Sequence, residues 1–132
     1  MKRRFRLTAL EAKFAYVGIR VRDLEKSVDF YTRVLGMKVK GRSRIEPSKG
    51  ETVGLESDGF TLELNYYEKE SPYYSEYAVG EGLDHLAFAV DDLTEALEEA
   101  RAAGCRVISE MKANGSHWAY IEDPNGIWIE LF

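Results

Sequence analysis

Cysteine and histidine are scarce in this 132-residue chain, which has one of the first and two of the second. A lone Cys105 excludes an internal disulfide, and its place in GCRV behind a helical segment predicts a small buried residue, not a catalytic thiol. Also missing is any apolar run of bilayer length, so no membrane-spanning helix is expected. The opening MKRRFRLTALEAK is basic but has no apolar core of the kind a signal peptide needs; the expectation is a cytoplasmic protein whose leader is a solvated arm. Positive charge is not in surplus. Eighteen Lys and Arg face 23 Asp and Glu for a formal net charge of -5, which argues against a general nucleic-acid surface. With 45% hydrophobic and 31% charged residues, the chain reads as one folded domain over residues 1–132, large enough for a real core.

What the chain does have is a repeat. YVGIRVRD at Tyr16 to Asp23 lines up with HLAFAVDD at His85 to Asp92, 69 residues later. GFTLEL at Gly59 to Leu64 lines up with GIWIEL at Gly126 to Leu131, 67 residues later, which makes Glu63 and Glu130 partners. A duplicated unit with an ionisable residue on its first strand and a Glu on its last suggests two half-sites that meet in one place.

The same element order is expected twice. The first module, 14–67, reads as strand Phe14 to Val21, helix Asp23 to Leu35, and strands Met37 to Ser43, Glu51 to Glu56 and Phe60 to Tyr67. Asp23 is its N-cap, Gly36 its C-cap and Ser57-Asp58-Gly59 its hairpin turn. The second module, 84–132, reads as strand Asp84 to Val90, helix Asp92 to Ala103 stopped by Gly104, and strands Cys105 to Glu110, His117 to Glu122 and Ile127 to Phe132. Its last turn is Asp123-Pro124-Asn125-Gly126. The Tyr-rich stretch 68–83, with Tyr73, Tyr74 and Tyr77, is the connector, either a lid over the cavity or an interface loop. The fold class is α+β, two paired βαβββ modules.

A helix covers only one face of each small sheet, and side-chain parity separates the faces. Val17, Ile19, Val21, Leu62, Leu64, Tyr66, Leu86, Phe88, Val90, Ile127, Ile129 and Leu131 share the helix-packed face. The other parity has Tyr16, Gly18, Arg20, Glu63, Asn65, Tyr67, His85, Ala87, Ala89, Trp128, Glu130 and Phe132, a mixture suited to a ligand cavity. Trp128 and Phe132 flank Glu130, and exposing both rings would be costly, so this face is expected to be largely buried and Glu63, His85 and Glu130 to converge. Buried carboxylates need a proton, a partner or a cation, and a metal would serve. The bland alternative is a wet second face with solvated charges.

YVGIRVRDLEKSVDFYTRVLGM, GEGLDHLAFAVDD and EDPNGIWIEL resemble the vicinal-oxygen-chelate superfamily, which includes glyoxalase I, bleomycin resistance proteins, epimerases and extradiol dioxygenases. The resemblance implies a half-barrel cup around one divalent metal ion (Ni, Zn, Co, Mn or Fe), a small-molecule substrate and a homodimer. The nearest pattern is glyoxalase I of the bacterial type, whose ligands fall on Tyr16, Glu63, His85 and Glu130. Tyr16 stands where that pattern has His, and a neutral phenol is a poor ligand for such ions. Arg20 falls on the position that binds a carboxylate of glutathione, or is a cavity-rim Arg paired with an acidic side chain. Asn65, Tyr67, Trp128 and Phe132 complete the implied substrate surface. The implied chemistry is proton abstraction by Glu130, or by its near-symmetric partner Glu63, next to a carbonyl. An epimerase, an extradiol dioxygenase and a metal-free binding protein of the bleomycin-resistance kind are the alternatives; His117, off the matched positions, reads as structural or cavity-lining.

Overall fold

Each α-helix begins at an aspartate a few residues past the end of a strand. A computed structural model describes residues 15–80, 83, 85–113 and 115–132 of the chain. Strand β1 (Val17–Arg20) leads to helix α1 (Leu24–Asp29), whose cap Asp23 accepts a hydrogen bond from the Lys26 amide at 3.0 Å. The helix continues as a π-helical turn over Phe30–Val34, and Gly36 turns left-handed at φ 72°. Strands β2 (Lys38–Ile45), β3 (Gly50–Ser57) and β4 (Phe60–Tyr67) complete the first module. Asp58 and Gly59, at φ 48° and 81°, close the β3–β4 hairpin in the conformation a two-residue turn demands.

The second module repeats this order. It has β5 (Leu86–Phe88), α2 (Leu93–Ala102), β6 (Val107–Ala113), β7 (Ser116–Glu122) and β8 (Trp128–Leu131). Asp92 caps α2 through the Glu95 amide at 3.0 Å. The strand orders are β1-β4-β3-β2 and β5-β8-β7-β6, with β1 parallel to β4, β5 parallel to β8 and the remaining pairs antiparallel. Two βαβββ modules in an α+β fold are therefore present. The expected strand starts at Phe14 and Asp84, and the basic arm, lie outside the described residues.

The face assigned to the core is the core. Ile19, Val21, Leu62, Leu64, Ile127, Ile129 and Leu131 are buried, joined by Tyr31 from the π-turn and Leu97 from α2. Burying each such aliphatic side chain contributes about 1.5–3 kcal/mol. Cys105 is half-buried where full burial was expected, because it lies in the turn just past the end of α2, with its amide donating to the Ala100 carbonyl at 2.9 Å. Burial still raises its thiol pKa, against a smaller lowering by Arg33.

The modules are tied together by polar groups as well as by this core. Asp123, from the EDPNG turn, and Tyr31 are both buried, and the Tyr31 hydroxyl donates to Asp123 Oδ2 at 2.8 Å. Asn125, also buried, accepts from the Arg22 amide at 2.9 Å and donates to Ser27 Oγ at 3.1 Å. The remaining acceptor capacity of Asp123 is taken by the Asn125 amide at 2.7 Å, Asn125 Nδ2 at 2.9 Å and the Ile127 amide at 2.8 Å. The last turn of the second module thus fastens onto the helix of the first, with its buried carboxylate fully partnered.

Candidate functional site

Strand register decides which side chains meet on the face away from the helices. In β8, Glu130 lies directly opposite Tyr120 of β7, and beside Ala87 of β5. His85, two residues before Ala87, shares that face one diagonal step from Glu130. The Tyr120 hydroxyl donates to Glu130 Oε1 at 3.4 Å. Its ring meets the edge of His85 at 5.4 Å between centroids and 83° between planes, and tilts against Trp128 at 5.4 Å. One half-site thus comprises His85, Tyr120, Trp128 and Glu130, all at least partly accessible.

The first module builds the matching half-site with different side chains. Glu63 of β4 pairs with Gly18 of β1 and Gly54 of β3, and Tyr16 takes the diagonal position that His85 takes in the second module. Tyr16, Glu63, Asn65 and Tyr67 line a cavity of about 600 Å³ with Tyr73 from the connector at its rim. Gly18 leaves room for Asn65, since a Cβ there would stand 3.1 Å from the amide nitrogen. Asn65 Nδ2 donates to the carbonyls of Ile19 at 3.4 Å and Glu63 at 3.3 Å, so its amide is engaged with the sheet as well as facing the cavity.

Among the described residues Arg20 pairs with no acidic side chain. Its guanidinium donates to Ser75 Oγ at 2.6 Å, the Ser75 carbonyl at 3.2 Å and the Glu76 carbonyl at 3.5 Å. Arg22 stands over the Tyr77 ring, 5.0 Å from its centroid, and Arg20 is 5.9 Å away. Burial raises the Tyr77 phenol pKa, Asp123 adds to the rise, and the two arginines oppose it. The connector is therefore held along the first module, where Tyr73 also packs on Tyr67 at 5.8 Å.

One expectation is corrected. The face flanking Glu130 is not largely buried: Trp128 is 44% and Phe132 54% exposed, and Tyr16 is 52% exposed on the other module. The reason is that α1 and α2 cover only the opposite faces of their own sheets. Within one chain Glu63, His85 and Glu130 stay apart, so the expected convergence is not made by a single chain. Among the described residues no three His, Cys, Asp or Glu side chains come close enough to hold an ion, and the cavity beside Glu63 is lined by residues of the first module and connector alone. His117 lies on the parity of the buried Ala119 and Ile121, away from Glu130, with Nε2 2.7 Å from Glu110 Oε2.

Tyr120 was not anticipated. Its signal was present in the alternation of SHWAYIE, where buried Ala119 and Ile121 force Tyr120 onto the Glu130 face.

The chain as a whole is similar to known proteins. A sequence model described as Glyoxalase/Bleomycin resistance protein/Dioxygenase superfamily matches residues 13–131. The chain is 36% identical over 126 residues to a lactoylglutathione lyase of Escherichia coli O157:H7, covering 90% of each. A lactoylglutathione lyase of Arabidopsis thaliana is 34% identical across 90% of this chain, which spans only 43% of that plant protein. Among solved structures, the trypanothione-dependent glyoxalase I of Leishmania major superposes with a TM-score of 0.73 at 30% identity, covering 92% of this chain and 86% of its own.

Proposed function

Because the chain belongs to the Glyoxalase/Bleomycin resistance protein/Dioxygenase superfamily, we propose that it is a glyoxalase I-type lyase that isomerises the hemithioacetal of a 2-oxoaldehyde. The observation that carries this is the repeated diagonal: an ionisable side chain and a glutamate on neighbouring parallel strands in both modules, Tyr16 with Glu63 and His85 with Glu130.

The donor chemistry fits a divalent ion in halves. His85 offers a neutral imidazole nitrogen and Glu130 a carboxylate, while Glu63 adds a second carboxylate from the other module. Tyr16 brings a phenol, a poor ligand for such ions, and does not fit as a fourth, so we assign three protein ligands. Two exposed half-sites that do not meet within one chain, each rimmed by aromatics, support their union across a homodimer, with Glu63 of one protomer facing His85 and Glu130 of its partner. No described helix is long and apolar enough to cross a membrane; a cytoplasmic location is part of the proposal.

When bound, the ion supplies Lewis acidity toward the adjacent oxygens of the substrate. The chain's own residues do the rest. Glu130 takes the proton from the carbon that bears sulfur and returns it to the neighbouring carbon, and Glu63 is its near-symmetric alternative. The hydroxyl proton of the first carbon passes to the oxygen of the second, so the thiohemiacetal becomes a thioester of a 2-hydroxy acid with no net change in atoms. Trp128, Phe132, Tyr16 and Tyr67 shield the reacting carbons from water once the half-sites are joined. Arg20 is available to a substrate carboxylate if the connector yields.

The test is elemental analysis before and after addition of Ni²⁺, Zn²⁺, Co²⁺, Mn²⁺ or Fe²⁺, together with a hemithioacetal assay on wild type and Glu130→Gln. We expect close to one ion per site and turnover that Glu130→Gln abolishes while the circular dichroism spectrum is unchanged. Absence of metal under every condition favours a metal-free binding protein of the bleomycin-resistance kind, for which the exposed Tyr16 beside the 600 Å³ cavity is the supporting observation.

A further inference from the structure

The two modules repeat their glutamates but not what stands opposite them. Across from Glu63 is Gly54, where a Cβ would have no heavy atom within 4 Å. Across from Glu130 is Tyr120, whose hydroxyl reaches Oε1 and whose ring lies against both His85 and Trp128. One carboxylate is braced by a phenol and the other is not, although both strands have the same register.

We infer that Tyr120 is a positioning residue for the second half-site, acting through Glu130 and His85. A directly opposed pair on an antiparallel ladder keeps its side chains adjacent without any contribution from a loop. The phenol donates to Oε1 of Glu130 and thereby leaves Oε2 as the oxygen free to face a ligand. The same ring limits rotation of the His85 imidazole, whose edge it meets almost perpendicularly. Two donors on separate strands are thus set by one side chain of a third strand, before any ligand arrives. Groups that orient metal ligands in this way change metal affinity by about 10–100-fold when removed. With a hydrogen bond of 3.4 Å, the effect belongs at the lower end of that range.

This inference rests on the metal reading of His85 and Glu130, and the experiment separates the two. Co²⁺ is titrated into the full-length wild type and into Tyr120→Phe, which removes the hydroxyl and keeps the ring, with binding followed by calorimetry and by the visible absorption of the bound ion. Expected is a Kd about tenfold weaker in Tyr120→Phe, with altered visible bands and a melting temperature within about 2 °C of wild type. Tyr120→Leu, which also removes the ring from His85, should weaken binding further. Equal Kd and equal spectra in wild type and Tyr120→Phe would overturn the role of Tyr120 and leave the metal site standing. Failure of wild type itself to bind would overturn both.

Discussion

Tyr31→Phe isolates one hydrogen bond at the junction of the modules. Tyr31 has no exposed surface, and its hydroxyl is one of four donors to the buried Asp123 carboxylate, at 2.8 Å. Removing it leaves the ring packed and the carboxylate short of one donor. A hydrogen bond to a charged group contributes about 1.5–3 kcal/mol. Taking about 2 kcal/mol, and an unfolding entropy of about 2.1 cal/mol/K per residue, the melting temperature of this 132-residue chain should fall by about 7 °C. Urea denaturation at fixed protein concentration should give the same loss with an unchanged slope.

Alkaline pH provides a second axis. Burial raises the Tyr31 pKa far above that of a free phenol, and the Asp123 charge and the hydrogen bond to it raise it further. A raised pKa makes the contribution complete below the unfolded value near 10 and diminishes it above, at about 1.4 kcal/mol per pH unit for this one group. Wild type should therefore lose stability above pH 10 more steeply than Tyr31→Phe, by about that slope. Melting curves from pH 7 to 11 measure both effects. Equal midpoints at pH 7 would refute the energetic role given to this bond, and parallel pH profiles for the two proteins would refute the raised pKa.

The connector and the lone thiol yield further predictions. Ser75→Ala removes the 2.6 Å acceptor of Arg20, and we expect faster limited proteolysis within 68–83 at unchanged melting temperature; an unchanged cleavage rate would mean that the carbonyl contacts of Arg20 and the Tyr73 and Tyr77 rings hold the connector without the Ser75 hydroxyl. Cys105 is half-buried with its pKa raised, so at pH 7 it should react with a disulfide reagent several-fold more slowly than free cysteine and approach the free rate only in urea.

The parts of this fold legible in the sequence are those governed by local chemistry. Phe60–Tyr67 forms the strand that its alternation demanded, Asp23 and Asp92 cap the helices, and Asp58-Gly59 turns as a two-residue hairpin loop must. The segment from Cys105 slipped instead, to Val107–Ala113, because the end of α2 holds the Cys105 amide and the strand gains Met111, Lys112 and Ala113 opposite Trp118, His117 and Ser116. The π-turn at Phe30–Val34 leaves no mark, since Leu24, Val28, Tyr31 and Leu35 suit a continuous α-helix equally well. EDPNG read as a turn, but the burial of Asp123 depends on Tyr31, 92 residues away. At the candidate site the parity of Glu63, His85 and Glu130 was readable, whereas the meeting of the half-sites was not, because β4 and β8 belong to separate sheets.

That meeting is tested most directly by mixing two inactive variants. Glu63→Gln and Glu130→Gln are purified separately, mixed under conditions that exchange subunits, and assayed on the hemithioacetal of a 2-oxoaldehyde. If Glu63 of one chain works with His85 and Glu130 of another, half the dimers are mixed and each has one intact site, so activity should return to about a quarter of wild type. No recovery, with subunit exchange shown by native mass spectrometry, would contradict a site shared between protomers.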